Sequence, residues 1–472
     1  MGVTQTATQP ALLDEVVGAR PTAELPLRHL LNLSIYWLGI NVIWSGLGNL
    51  IYQERLRATV GEALAPAYLG ILVTVPVFIS VLVQPTVAAI SDYTVSRWGR
   101  RKPYIFIGTV LDIVFLWGLA EANVFVAILA FVILLQCSSN FAQGPFQGYV
   151  PDLVPARQVG LASGLMGVMI VIGQMVGLAI AGLGLLQIGE APFALGTAEA
   201  GEAARRAFFL PTLALGAIEF VTMLLLVATI DEGRQAPPRN GRSWRRIALG
   251  AWGTDILQER SYVWLLVSRL LFLMAPALLT GLGPFYLAQS LGFQEEASRF
   301  LPLLIIGAIF GGTTALTALP AARMSDRIGR KRIIYTSIVI GALGMAGVAV
   351  APSFEFTVLA LIPVGISAGA FLAVDWALMT DIIPKATSGR YMGISNVATA
   401  ISGPLGLGIG SVVVTSLVVF GLPPELRALE RPPAHESAYY EAAPRIAMAL
   451  TLVFLAISAW TLRRVDERRR ED

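Results

Sequence analysis

Hydrophobic and polar positions alternate on a long scale along this chain: apolar runs of membrane-crossing length are separated by short polar stretches. A helix that crosses the hydrocarbon core needs about 20 predominantly apolar residues. Twelve runs qualify: 30–52, 66–90, 103–121, 123–148, 160–187, 207–230, 262–288, 300–321, 333–351, 354–380, 391–420 and 445–462. Backbone groups in lipid must be paired internally, so runs this long read as helices. The fourth run follows the third almost directly, which predicts a tight outer turn. The longest interruption on the opposite side, 231–260, holds "DEGRQAPPRNGRSWRR". It divides the chain into a tail at 1–29, a six-helix bundle at 30–230, a linker at 231–260, a second bundle at 261–463 and a basic tail at 464–472. The linker's "SWRRIALGAWGTDILQ" mixes apolar and basic residues and is expected to form a short helix at the membrane surface.

Composition agrees with this pattern. Of 472 residues, 55% are hydrophobic and 14% charged, and the mean hydropathy is +0.69. That is too little charge to coat a soluble protein of this length. The net charge of +3 says little, but the placement of charge is informative. With both termini inside, 25 Lys and Arg fall on the inner side and eight on the outer, with Arg269 left inside a span. Basic loops face the cytoplasm. The reading is therefore an all-α, multi-pass integral membrane protein with both ends cytoplasmic, in the plasma (inner) membrane. The N-terminal stretch has no basic start followed by an apolar core, so it does not read as a cleavable signal peptide. Cys137 is the only cysteine, which excludes an internal disulfide, and it reads as a small core residue.

Two sequence features occur twice. "SDYTVSRWGRRK" follows the second run and "SDRIGRKR" the eighth, matching Asp92 with Asp326 and Gly99 with Gly329. Asp152, Pro155, Gly160 and Gly164 follow the fourth run; Asp381, Pro384, Gly389 and Gly393 follow the tenth at one constant offset of 229. Both marked loops lie on the inner side. The chain is therefore two equivalent six-helix halves related by an axis along the membrane normal, the arrangement of a major facilitator fold. Glycine permits a tight turn. The aspartates can accept from a helix N-terminus or from an arginine across the seam between the halves. Such contacts would hold the cytoplasmic side shut. The expected gate residues are Asp92, Arg97, Gly99, Arg100, Arg101, Asp152, Asp326, Arg327, Gly329, Arg330 and Asp381.

"LVQPTVAAISDYTVSRWGRRKPYI" and "NFAQGPFQGYVPDLVP" resemble the helix 2–3 region and helix 4 of sucrose-transporter-like proteins. These are relatives of the glycoside–pentoside–hexuronide symporters within the major facilitator superfamily. The resemblance covers the first half; the second half matches only as a generic facilitator half. It implies sugar or glycoside transport, commonly driven by protons. The fourth helix departs from the family pattern. Gln136 stands where a carboxylate is usual and Gln147 where an arginine is usual. A glutamine cannot take up and release a proton near neutral pH, so either another carboxylate couples transport or the protein is a facilitator.

Charges inside spans are costly and are functional candidates. Arg269 in the seventh helix and Asp375 in the tenth lie about 10 Å and about 9 Å deep from the inner side, at 1.5 Å per residue, and are expected to pair. That pair is either a coupling site or a static salt bridge. Asp112 and Glu219, in the third and sixth helices, are the other coupling candidates; as buried carboxyls they read equally as neutral hydrogen-bonding groups. Helices 1, 4, 7 and 10 line the cavity of this fold. They supply Asn41, Trp44, Gln136, Asn140, Gln143, Gln147, Arg269, Phe272, Asp375 and Trp376 as candidate solute ligands, because sugars are bound by amides, carboxylates and aromatic faces. The spacing of the four amides puts them on one face of the fourth helix, where they serve either a solute or helix–helix hydrogen bonds.

No GxxxxGK[ST] phosphate loop is present, which argues against an ATP-driven pump. No metal-binding or nucleic-acid-binding motif appears, no cofactor is implied, and an enzyme is not indicated. The expected partners are a sugar or other small polar solute, protons or another coupling cation, and the lipid bilayer; a monomer is expected. Competing readings are an exporter of amphipathic molecules and a non-transporting receptor or pigment-handling protein of the same fold. The amide face argues against the first and the two intact gate loops against the second.

Overall fold

In the computed structural model, residues 23–155, 158–188, 197–232, 241, 243–250, 252, 259–293, 297–382, 388–427, 429 and 434–466 are described. Twelve helices are long and apolar enough to cross a membrane, and no strand occurs among the described residues. They are α1 (Leu27–Val60), α2 (Ala65–Asp92), α3 (Lys102–Glu121), α4 (Phe125–Gln147), α5 (Val159–Ile188), α6 (Ala198–Thr229), α7 (Arg260–Ser290), α8 (Phe300–Ile328), α9 (Arg330–Val350), α10 (Phe354–Ile382), α11 (Ser388–Phe420) and α12 (Ala442–Leu462). A short helix at Trp244–Gly250 occupies part of the linker.

The helices pack as two copies of one bundle. α1 lies against α5 and α6, α3 against α4 and α6, and α2 against α4. Six helices later the same pairs recur: α7 against α11 and α12, α9 against α10 and α12, and α8 against α10. The halves meet through α2 with α11 and through α5 with α8, which are again equivalent pairs. Close approach at the first seam needs a small residue: a Cβ on Gly408 of α11 would lie 2.8 Å from Thr74 Oγ1, and that hydroxyl donates to Pro404 O at 3.0 Å.

α1 continues well past its apolar run. A π-helical turn at Leu47–Ile51 leads into Tyr52–Val60, where Gln53, Glu54, Arg55 and Arg57 are all buried. The apolar run ends at residue 52, and Arg55 and Arg57 are two of the eight cations expected in outer loops. Tertiary partners replace water and keep the helix going. Arg55 donates to Leu119 O at 2.8 Å and to Ala122 O, filling carbonyls that the end of α3 leaves open. α6 likewise starts earlier than its apolar run, capped by Thr197 Oγ1 accepting from Ala200 N at 3.1 Å. Arg205 there pairs with Glu202 and Glu121.

Candidate functional site

In the first half, the loops after α2 and α4, expected on the inner side, form one charged cluster. Gly99 and Gly329, the matched glycines, adopt φ of +117° and +97°, values that L side chains rarely tolerate. The turn at Gly99 brings Arg100 and Arg101 back onto the ends of α2 and α4. Arg101 donates to Asp92 at 2.6 Å, lies 2.8 Å from Asp152, and donates to Pro145 O at 2.9 Å; Arg100 pairs with Asp152. The backbone N–H groups of Arg101 and Lys102, at the start of α3, donate to Glu232 at 2.8–3.1 Å. Burial raises the Glu232 carboxyl above the usual range, and those backbone donors pull it back. Glu232 was not foreseen; it lies just beyond α6, where an acid reads as loop solvation.

Each of these contacts stays within the first six helices. In this arrangement Asp92 and Asp152 meet arginines of their own half, not one across the seam. The partner arginines sit on the same tight turn as Gly99, within reach without crossing. Arg97 lies outside the cluster, its guanidinium 5.8 Å over the Trp98 ring. In the second copy Arg327 is exposed and Arg330 begins α9. The side chains of Asp326 and Asp381 lie outside the described residues.

Deeper in the second half, the structure joins Arg269 to Asp375. Arg269 Nη1 donates to Asp375 Oδ2, its Nε donates to Thr399 Oγ1 of α11 at 3.0 Å, and its guanidinium lies 4.9 Å over the Trp376 ring. One arginine thus ties α7 to α10 and α11. Arg269 is 1% exposed and Asp375 0%, yet Asp375 Oδ1 has no hydrogen-bond partner among the described residues. A buried carboxylate oxygen left open can accept from a solute hydroxyl. Trp376 is 37% exposed beside it. Phe272 does not belong to this site: it is buried and stacked on Phe371 at 3.6 Å inside the apolar core shared by α7, α9, α10 and α12. An aromatic on α7 one turn from Arg269 looks equally available from sequence, but its ring is buried and stacked on Phe371.

On α4, Gln136, Asn140, Gln143 and Gln147 are all half-buried. α4 meets α1 through Phe146, 4.9 Å from Tyr36 and 5.6 Å from Trp37. It meets α2 at Gly144, which sits against Gln84 O, and at Asn140, which donates to Ser80 Oγ at 3.3 Å. Its outward face carries Val126, Ala130 and Leu134, all exposed. At roughly 100° per residue, the four amides fall in the sector between the α1 and α2 contacts, roughly 110° from that outward face. They do not point into lipid. Asn140 also donates to Gln136 O at 2.8 Å and Gln136 Oε1 at 3.4 Å, and Gln143 to Ser139 Oγ at 3.3 Å. On α1, Asn41 donates back to Trp37 O at 2.8 Å, and Trp44 is half-buried.

Asp112 and Glu219 lie near each other across the α3–α6 contact. Both are buried, at 0% and 1% exposure, and Asp112 Oδ2 and Glu219 Oε2 have no hydrogen-bond partner among the described residues. Ser138 Oγ of α4 donates to Asp112 Oδ1. Tyr36 of α1 donates to Glu219 Oε1 at 3.5 Å and shares a 2.6 Å hydrogen bond with Thr109. No Lys or Arg pairs with either acid among the described residues. The two acids thus share a dry site one side chain from α1. The sequence singled out both acids but not their proximity, and it missed Tyr36.

Sequence reading also missed an outer cluster. Glu54 Oε2 accepts from Arg57 Nη1 at 3.1 Å and from Arg299 Nη2, beside the start of α8, at 3.0 Å. Arg57 also bonds Glu62 at 2.9 Å. Nearby, Gln53 Nε2 donates to Gly281 O of α7 at 3.1 Å. Both interactions cross the seam, near the ends of α1 and α7 that sit opposite the inner loops. The "QERLR" following the first apolar run carries Glu54 and Arg57 at i, i+3 spacing, the one signal that could have pointed to it.

The sequence profile of the Major Facilitator Superfamily matches residues 30–407 and 303–472. The chain is 28% identical over 131 residues to the minor myo-inositol transporter IolF of Bacillus subtilis (strain 168), a match covering 25% of this chain and 30% of that one. It is 27% identical over 182 residues to the sucrose transport protein SUC4 of Arabidopsis thaliana, covering 34% and 35%. These matches span about a third of the relatives' lengths. Over nearly the whole chain the fold resembles a bacterial homolog of the human lysosomal transporter Spinster in an inward-facing, occupied conformation, with TM-score 0.72, 15% identity and coverage of 95% and 100%. It also resembles a D-xylose–proton symporter, with TM-score 0.56, 18% identity and coverage of 90% and 95%.

Proposed function

Because this chain belongs to the major facilitator superfamily, we propose that it is a secondary transporter that moves a sugar, polyol or glycoside across the membrane by alternating access of its two halves. The observation that carries this reading is the α4 amide face, turned away from lipid into the sector between α1 and α2. Amides on that face match solute hydroxyls in both directions, as donors and acceptors. Asn41 and Trp44 of α1 complete the first half's share of the pocket, and Asp375 Oδ1 and the exposed Trp376 ring supply the second half's. An apolar, amphipathic cargo would leave these polar groups unmatched, which disfavours the exporter reading. The similarity of short segments to a myo-inositol and a sucrose transporter supports a polyhydroxylated solute.

Counterflow of labelled sugars and polyols in proteoliposomes, with and without a pH gradient, tests the proposal. At least one such solute should exchange. Asn140→Leu with Gln143→Leu should weaken its apparent affinity by about a hundredfold, at about 1.4 kcal/mol for each hydrogen bond lost. Exchange by the leucine variant at the native affinity would remove the amide face from the site.

We assign proton coupling to Asp112 and Glu219, since Gln136 cannot carry it. Two buried acids side by side, with no cationic partner among the described residues, can take up and release a proton, and Tyr36 links them to α1. In the Asp112→Asn, Glu219→Gln double variant, counterflow should persist while accumulation driven by a pH gradient falls at least about tenfold. Unchanged uphill transport would place coupling elsewhere.

A further inference from the structure

On the outward face of the first bundle, between the start of α3 and the end of α6, lies an open groove of about 400 Å³. It is layered. Its inner end carries Arg97, Lys102 and, at the rim, Asp231. Next come Trp98 and Phe106, edge to face at 5.7 Å. Leu224 and Val227 of α6 line the remainder. Phe106 is four residues into α3 and Leu224 five from the end of α6, so the apolar layer begins roughly 6–8 Å deeper than the charges at 1.5 Å per residue.

Within the run Arg97 to Lys102 the cations divide cleanly. Arg100 and Arg101 are held by Asp92 and Asp152. Arg97 and the Lys102 ammonium form no ion pair among the described residues. Glu232 already occupies the first backbone N–H groups of α3, so an anion in the groove must be met by these two side chains. Asp231 is itself engaged, and the Lys102 charge is felt by Glu232. Two cations without an ion pair among the described residues, an exposed tryptophan at the same level, and an aliphatic slot beneath match a phosphate, a glycerol backbone and an acyl chain in that order.

We propose that this groove binds one anionic phospholipid, with its phosphate between Arg97 and Lys102 and an acyl chain along Phe106, Leu224 and Val227. The lipid would brace the Gly99 turn from outside while Asp92 and Asp152 hold it from within. The site is independent of the transported solute.

Native mass spectrometry of the delipidated, detergent-solubilised protein titrated with phosphatidylglycerol or phosphatidylcholine tests this. The first phosphatidylglycerol should bind roughly thirtyfold more tightly than phosphatidylcholine, for two cations near the surface. Arg97→Gln with Lys102→Gln should erase that preference. Arg97→Lys with Lys102→Arg, which keeps both charges, should retain it and shows that the turn still folds. Arg323→Gln with Arg332→Gln, an equal charge change at exposed inner positions of the second half, should also retain it. Equal binding of the two lipids by the unaltered protein, or an unchanged preference in the glutamine variant, overturns the assignment.

Discussion

Replacing Arg269 by alanine is expected to abolish transport and to cut the yield of folded protein sharply. The substitution strands the fully buried Asp375 carboxylate without its guanidinium. Breaking a buried pair by removing one member costs about 3–5 kcal/mol, a large share of a total stability of about 5–15 kcal/mol. Arg269→Lys should recover yield only in part. The ammonium can meet Asp375, but it cannot also donate sideways to Thr399 and lie flat over Trp376, which a planar fork does at once. The informative variant removes both charges. Arg269→Met with Asp375→Leu replaces the pair by apolar groups of similar size and should restore yield and thermal stability. It should not restore counterflow, because the open Oδ1 acceptor goes with the pair. Normal counterflow by the double variant would reduce the pair to a structural bridge.

That pair was legible before the structure because intramembrane charge is scarce. With one arginine in the spans and an acid at matching depth, geometry left little choice. The amide face was legible for a similar reason, since residues three and four apart share a helix face whatever the fold. The two bundles followed from the repeated Asp and Gly positions; at Gly99 and Gly329 the positive φ admits few residues other than glycine. What could not be read is tertiary. Phe272 differs from Trp376 only in which side of the bundle it faces, and hydrophobicity does not encode that. The proximity of Asp112 to Glu219 depends on α3 and α6 lying side by side. The partners of Asp92 and Asp152 depend on how tightly the Gly99 turn folds back. The outer cluster was hidden for a physical reason: Glu54, Arg55 and Arg57 look like loop residues because charges usually end a span, whereas here each charge is met by protein and the helix continues.

The outer cluster leads to the second large effect. Seam-crossing bonds of Gln53 and Glu54 join α1 to α7 and to the start of α8, while the pairs of the loops after α2 and α4 stay within one half, so this arrangement joins the halves at the end expected to face outward. On the proposed alternating access, that closure must break and reform. Glu54 is its hub, since one carboxylate oxygen accepts from both Arg57 and Arg299. Glu54→Gln removes the charge that both guanidiniums share and sets two like charges against each other. Arg299→Gln is milder, because Arg57 still pairs with Glu54 and Glu62. Truncating one partner of a buried charged pair costs about 2–5 kcal/mol, which is roughly a thirtyfold to several-thousandfold shift in a two-state equilibrium. In a Cys137→Ser background, a cysteine replacing the fully buried Leu50, one turn before Gln53, reports that equilibrium through its reaction with an impermeant maleimide added outside. Labelling should be slow with Glu54 present, faster in Arg299→Gln and fastest in Glu54→Gln. Equal rates in all three would show that the outer side is held shut by apolar packing along α2–α11 and α5–α8, with the ion pairs as passengers.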